Sequence, residues 1–102
     1  MTENELEQEI QDKNLNAPRL NPTLIENAII GEAYYVFPGT TMTICRLTLQ
    51  NGYSVTGESA AVSLENFDKE IGRKVARANA KEKVWSLEGY RLKQKLYEES
   101  QA

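Results

Sequence analysis

Lys69, Arg73, Arg77 and Lys81 recur at every fourth position, the spacing that lines side chains up along one side of a helix. Four cations on one line can hold an oxyanion, and the arginines among them can grip a phosphate through two parallel N–H donors. Glu65 can offset Lys69, and Glu70 can offset Arg73 and Lys74, but Arg77 and Lys81 have no acid three or four positions away in either direction. Like charges at this spacing cost roughly 0.2–0.5 kcal/mol per pair in an isolated helix. The two unpaired cations therefore require either solvent, acids from the N-terminal arm or another subunit, or an anionic ligand. On a straight helix Arg91 and Lys95 return to nearly the angles of Arg73 and Arg77 and extend the line by two turns.

Catalytic partners for these cations are missing from the sequence. The chain of 102 residues has no histidine and a single cysteine, Cys45. The commonest general base, every Ser–His or Cys–His nucleophile pair and the usual Cys/His zinc sites are thereby removed. The six glycines are scattered and form no phosphate-cradling loop. No catalytic residue, metal or cofactor is expected, and the chain reads as a binding protein rather than an enzyme. One cysteine fits a reducing compartment. No apolar run approaches the roughly 20 residues that span a bilayer, and the N-terminus is acidic where a signal peptide is basic and then apolar, so the expected place is a reducing cytoplasm.

A net charge of −3 conceals segregation. Glu3, Glu5, Glu7, Glu9 and Asp12 outweigh Lys13 and Arg19 at the N-terminus, whereas lysines and arginines prevail between 64 and 97. Residues 1–16 are read as a flexible acidic arm, 17–97 as a single α+β domain and 98–102 as a flexible tail. Within the domain, Asn21 before Pro22 signals a short helix, with Leu24, Ile25, Ala28 and Ile29 apolar and Gly31 as its stop. AYYVF and TTMTICRLTLQ, rich in β-branched and aromatic residues, read as strands. Asn51-Gly52 signals a two-residue hairpin turn of type I′, which would place Thr48 opposite Val55 and Arg46 opposite Gly57. Ser63 is expected to cap the helical stretch that follows, with Phe67, Ile71, Val75, Ala78, Trp85, Gly89, Leu92 and Leu96 as its buried stripe. Val84 and Leu87 fall off that stripe, which predicts one long kinked helix, or two helices, with the break near Ser86.

The residues nominated for ligand binding are Arg46, Phe67, Arg73, Arg77, Asn79 and Arg91. The arginines would hold phosphates, Phe67 would stack on a base, and Asn79, a poor helix former beside Arg77, would supply an amide. Arg46 opposite a glycine would have room to reach an anion. Phe67 and Trp85 also lie on the apolar stripe, where a core role is the commoner one, and Tyr90 lies off it.

Three blocks, APRLNPTLIENAI, LTLQNGYSVTGESA and ENFDKEIGRKVARANAKEKVWSLEGYRLKQKL, resemble a family of small proteins of tailed phages and prophages, named after the products of phage genes forty-nine and sixty-six. That family is read here as including the type-one Thoeris anti-defence proteins, which sequester cyclic ADP-ribose isomers made by bacterial TIR immune enzymes. The resemblance implies a sheet followed by helices, assembly into dimers and larger rings, and interface pockets with arginines on the phosphates and an aromatic against the base. It leaves the acidic arm uncovered, and Leu64 and Ser86 stand where relatives are expected to carry proline. The expectation is a homo-oligomer that sequesters a cyclic nucleotide without cleaving it. The competing one is a small accessory protein that docks on a host or phage protein through its basic helix. Nucleic acid is a poor fit to an acidic chain.

Overall fold

Asn21 and Pro22 start the first element of the domain as expected. The Asn21 side-chain oxygen accepts the Leu24 N–H at 2.8 Å, and Pro22 occupies the first helical position, where its missing N–H costs nothing. The computed structural model describes residues 2–15 and 17–102, so Met1 and Asn16 of the acidic arm lie outside it. Helix α1 (Glu3–Asp12) precedes helix α2 (Pro22–Ala28), and strands β1 (Ile29–Val36), β2 (Met42–Leu49) and β3 (Ser54–Ala60) follow. A 3-10 turn (Leu64–Asn66) then leads into helix α3 (Lys69–Gln101). The strands form one antiparallel sheet in the order β1-β2-β3, and α3 lies across one face of it, packed mainly on β2 and β3. The class is α+β, as the pattern of elements predicted.

Gly31 does not stop α2. The chain passes directly from Ala28 into β1, because Ile29 and Ile30 already belong to an apolar run that pairs with β2. Gly31 instead sits where the β1–β2 register slips, Ile29 facing Leu49 and Gly31 facing Thr48, so the extra residue is absorbed as a bulge.

The hairpin is corrected by one residue. The Gly52 N–H donates to the Leu49 carbonyl at 2.9 Å and the Leu49 N–H to the Tyr53 carbonyl at 2.8 Å, which closes a three-residue loop. Only Gly52 of the Asn-Gly pair has positive φ, at 90°. Asn51 instead turns its side-chain oxygen to the Tyr53 N–H at 3.0 Å, an arrangement that needs no left-handed asparagine. Thr48 therefore faces Ser54, Leu47 faces Val55, Arg46 faces Thr56 and Cys45 faces Gly57. A slip of one residue exchanges the two faces of a strand. Val55 and Gly57 thus join Cys45, Leu47 and Leu49 under α3, while Arg46 lies with Thr56 on the opposite, exposed face.

Helix α3 begins at Asp68, not at Ser63. The Asp68 carboxylate accepts the Ile71 N–H at 3.0 Å, and Ser63, ahead of the 3-10 turn, makes no side-chain cap. From there α3 runs 33 residues without a break, about 50 Å at 1.5 Å per residue. It passes through Ser86, whose hydroxyl bonds back to the Glu82 carbonyl at 3.4 Å. Of the two forms expected, one long helix is found.

Its buried side differs from the expected stripe. Ala76, Ala80 and Val84 are fully buried, and Gly72, Glu88, Leu92 and Leu96, on the same i, i+4 row, are partly buried. Such a row drifts about 40° around the helix at each step, forming the inclined ridge that packs on a twisted surface. Trp85, Gly89, Leu92 and Leu96 of the expected stripe lie near this ridge, but Ile71 is 61% and Val75 45% exposed, and Ala78 is exposed too. With Val84 on the ridge, the reason for inferring a kink disappears. Small residues occupy the ridge because the backbones nearly touch. A Cβ on Gly57 would fall 2.8 Å from the Ala80 Cα and closer still to the Ala80 nitrogen and the Ala76 carbonyl oxygen.

Gly57→Ala is therefore expected to destabilise the fold by about 3 kcal/mol or more, the upper end for overpacking, since backbone rather than a flexible side chain blocks the new methyl. Gly31→Ala, whose Cβ would meet Thr48 Cβ at an ordinary 3.8 Å, should stay within about 0.5 kcal/mol of the parent. Urea unfolding followed by circular dichroism measures both.

Candidate functional site

The two flanks of α3 carry different chemistry. On the β1 flank the unpaired cations of the sequence find their acids. Arg77 makes a forked pair with Glu26 of α2, at 3.1 and 2.9 Å, and reaches Glu32 of β1 at 3.3 Å. Lys81 bonds Glu26 at 2.8 Å and Glu3 of α1 at 2.9 Å. Glu3 also accepts the indole N–H of Trp85 at 2.8 Å, and Tyr34 donates its hydroxyl to Glu32. One network thus ties α1, α2 and β1 to α3.

This network displaces proton affinities in the direction of tighter pairing. Hydrogen bonds from Arg77 and then Lys81 outweigh burial and pull Glu26 down from its ordinary 4.5 to about 2. The Arg77 guanidinium is held more firmly protonated by its bonds to Glu26. Burial, then the bond to Glu32, pushes the Tyr34 phenol well above its usual range, and burial likewise raises the Cys45 thiol. All these groups keep their ordinary charge states near neutrality, so the network binds its parts together and offers no poised acid or base.

The β3 flank is a cleft between α3 and the sheet edge. Phe67, Ile71, Val75 and Asn79 line it, with Glu58, Ser59 and Asp68. Phe67 is half-buried. Asn79 donates its side-chain amide to the Glu58 carbonyl at 2.7 Å, and Ser59 donates to the Gly72 carbonyl at 2.7 Å. Among the described residues, no lysine or arginine lines this cleft.

The nominated residues are consequently dispersed. Phe67 and Asn79 share the β3-flank cleft. Arg77 is in the β1-flank network, and Arg73 stacks its guanidinium 5.4 Å from the Tyr34 ring centre. Arg91 pairs with Glu88 at 2.7 Å beside Leu20 and Asn51, and Arg46 is on the opposite face of the sheet. Glu3, Glu26, Glu32, Lys81 and Trp85 were not nominated. The absence of local acids around Arg77 and Lys81 was the available signal, since buried or half-buried cations must find acids elsewhere in the fold. Glu32 also shares its alternation with Tyr34 and Val36, the helix-facing side of β1.

Fold and flanks together describe a small α+β protein with an ion-pair network on one side of a long helix and a cleft on the other. The chain belongs to the phage protein (N4 Gp49/phage Sf6 gene 66) family, which matches residues 20–96. No curated protein and no solved structure matches it. The family match takes in β1, β2, β3 and most of α3 and leaves α1 outside.

Because Glu26 has a lower pKa folded than unfolded, its pairing stabilises fully above pH 4.5 and is lost as pH falls toward about 2. Glu26→Gln should lower Tm at pH 7 by a few degrees, since a half-exposed pair contributes about 0.2–1 kcal/mol. The variant and parent curves should converge near pH 2. Tm measured by circular dichroism between neutrality and acid checks this; a constant gap down to the lowest pH would exclude it.

Proposed function

We propose that this phage protein is a non-catalytic binding protein that sequesters a cyclic nucleotide immune signal, a cyclic ADP-ribose isomer or a related cyclic nucleotide, and gives it back chemically unchanged. The observation that carries the reading is the β3-flank cleft, where an aromatic ring, Phe67, and a side-chain amide, Asn79, sit together against Ile71 and Val75. A base stacks on such a ring and is read at its edge by such an amide. The cleft has no cation of its own and carries Glu58 and Asp68, so the phosphates of the ligand need arginines from a second copy of the chain. Arg46 and Arg91 are exposed, Arg91 in an ion pair with Glu88 that a phosphate would have to replace. The exposed Ile71 and Val75 give a second copy apolar surface to cover. The reading thus joins ligand binding to homo-oligomerisation.

Docking on a host or phage protein through the basic helix has less support, because the two cations that lacked local acids, Arg77 and Lys81, are engaged by Glu26, Glu32 and Glu3.

Isothermal titration with a panel of cyclic ADP-ribose isomers and cyclic di- and trinucleotides tests the proposal, followed by heat denaturation and chromatography of the released ligand. Tight binding of one member with intact recovery is expected. Phe67→Ala should then weaken it by roughly tenfold or more, as expected for the loss of about 1–3 kcal/mol of base stacking, with Tm little changed. No heat with any member of the panel, or recovery of a cleaved product, would overturn the reading.

A further inference from the structure

We infer that Lys81 and Trp85 form an oxyanion subsite which the protein's own helix α1 keeps filled, so that a phosphate or carboxylate group of a small external ligand competes with Glu3 for it. Two donors of different kinds converge on one carboxylate here. The Lys81 ammonium lies 2.9 Å from one Glu3 oxygen and the Trp85 indole N–H 2.8 Å from the other. Lys74, Arg77, Ala78 and the carboxylate-bearing Glu82 border the same hollow. The Lys81 side chain is 15% exposed with Glu3 in place, and withdrawal of Glu3 leaves its ammonium with Glu26 and turns the indole N–H to solvent. Another oxyanion can accept from both donors in the same geometry, through charge-assisted hydrogen bonds.

The arm that supplies the carboxylate is weakly attached. None of the α1 residues is fully buried, and Leu6 of the arm is half exposed. Apart from Glu3, the arm is pinned by Glu7, which takes a forked pair from Arg19 at 2.7 and 2.8 Å. Arg19 stands in the connection to α2 and not in the sheet domain, so this second pin does not fix α1 on α3. An element held by polar contacts with little apolar burial opens at low free-energy cost. The donors also lie within the family-matched segment and the carboxylate outside it. The inference is independent of the nucleotide reading, because Lys81 and Trp85 belong to the β1 flank and Phe67 and Asn79 to the β3 flank.

The chain has one tryptophan, so its indole N–H gives a single reporter resonance in a nitrogen-15 spectrum of the full chain. Inorganic phosphate and acetate are titrated at ionic strength matched with chloride, in the parent and in Glu3→Gln. The expected result is a saturable shift of the indole resonance with phosphate or acetate but not chloride, at severalfold lower concentration in Glu3→Gln. The α1 amides of the parent should exchange severalfold faster with deuterium in the presence of the effective anion. A response to phosphate alone assigns the subsite to phosphate ligands, and an equal response to acetate assigns it to oxyanions generally. An indole resonance that responds no more to phosphate or acetate than to chloride in both proteins would overturn the inference. So would α1 exchange rates in the parent that no anion changes.

Discussion

The close approach of α3 to β3 at Gly57 is the constraint on which the rest of the structure depends. With no side chain at Gly57, the strand meets the Ala76 and Ala80 turns of the helix backbone to backbone. This distance excludes large residues from the contact, so the part of the ridge that meets the sheet is built from Gly72, Ala76, Ala80 and Val84, and the bulk of the core comes from Ile25, Leu47 and Leu49. Close packing of this kind fixes both the height of the helix above the sheet and its rotation about its own axis.

Rotation decides which chemistry appears on each flank. With Ala76 and Ala80 turned down, Arg77 and Lys81 face β1, α2 and α1, where Glu32, Glu26 and Glu3 meet them. Asn79 is turned toward β3, where it bonds the Glu58 carbonyl, and Ile71 and Val75 are left at the rim. The basic line that looked like a single ligand surface is divided between internal ion pairs and exposed positions. Half-exposed pairs of this sort contribute little individually; their importance here is that they hold α2 against a helix of which the sheet covers only a part.

Much of the architecture is legible along the chain. Asn21-Pro22, the β-branched runs and the helical run beyond residue 68 depend on local backbone chemistry, and an element appears at each, although β1 begins earlier, at Ile29, and the helix buries a different stripe. The errors fall where two local solutions compete. Asn-Gly accommodates a type I′ turn or a three-residue loop with a left-handed glycine, and the choice follows from which register puts Val55 and Gly57 under α3. Ser63 and Asp68 are both competent caps, and the one whose carboxylate meets a free N–H is used.

Composition and spacing determined the α+β class, the lack of histidine chemistry, the separation of acidic and basic segments and the lack of local acids for Arg77 and Lys81, because these follow from residue types and neighbours a few positions apart. The buried side of α3, the identity of the acids that meet its cations and the gathering of Phe67 and Asn79 into one cleft came from the folded arrangement alone. Each depends on how far a helix rotates to lay small residues on a twisted sheet, and that angle is set by contacts such as Gly57 with Ala80, between residues far apart in the chain.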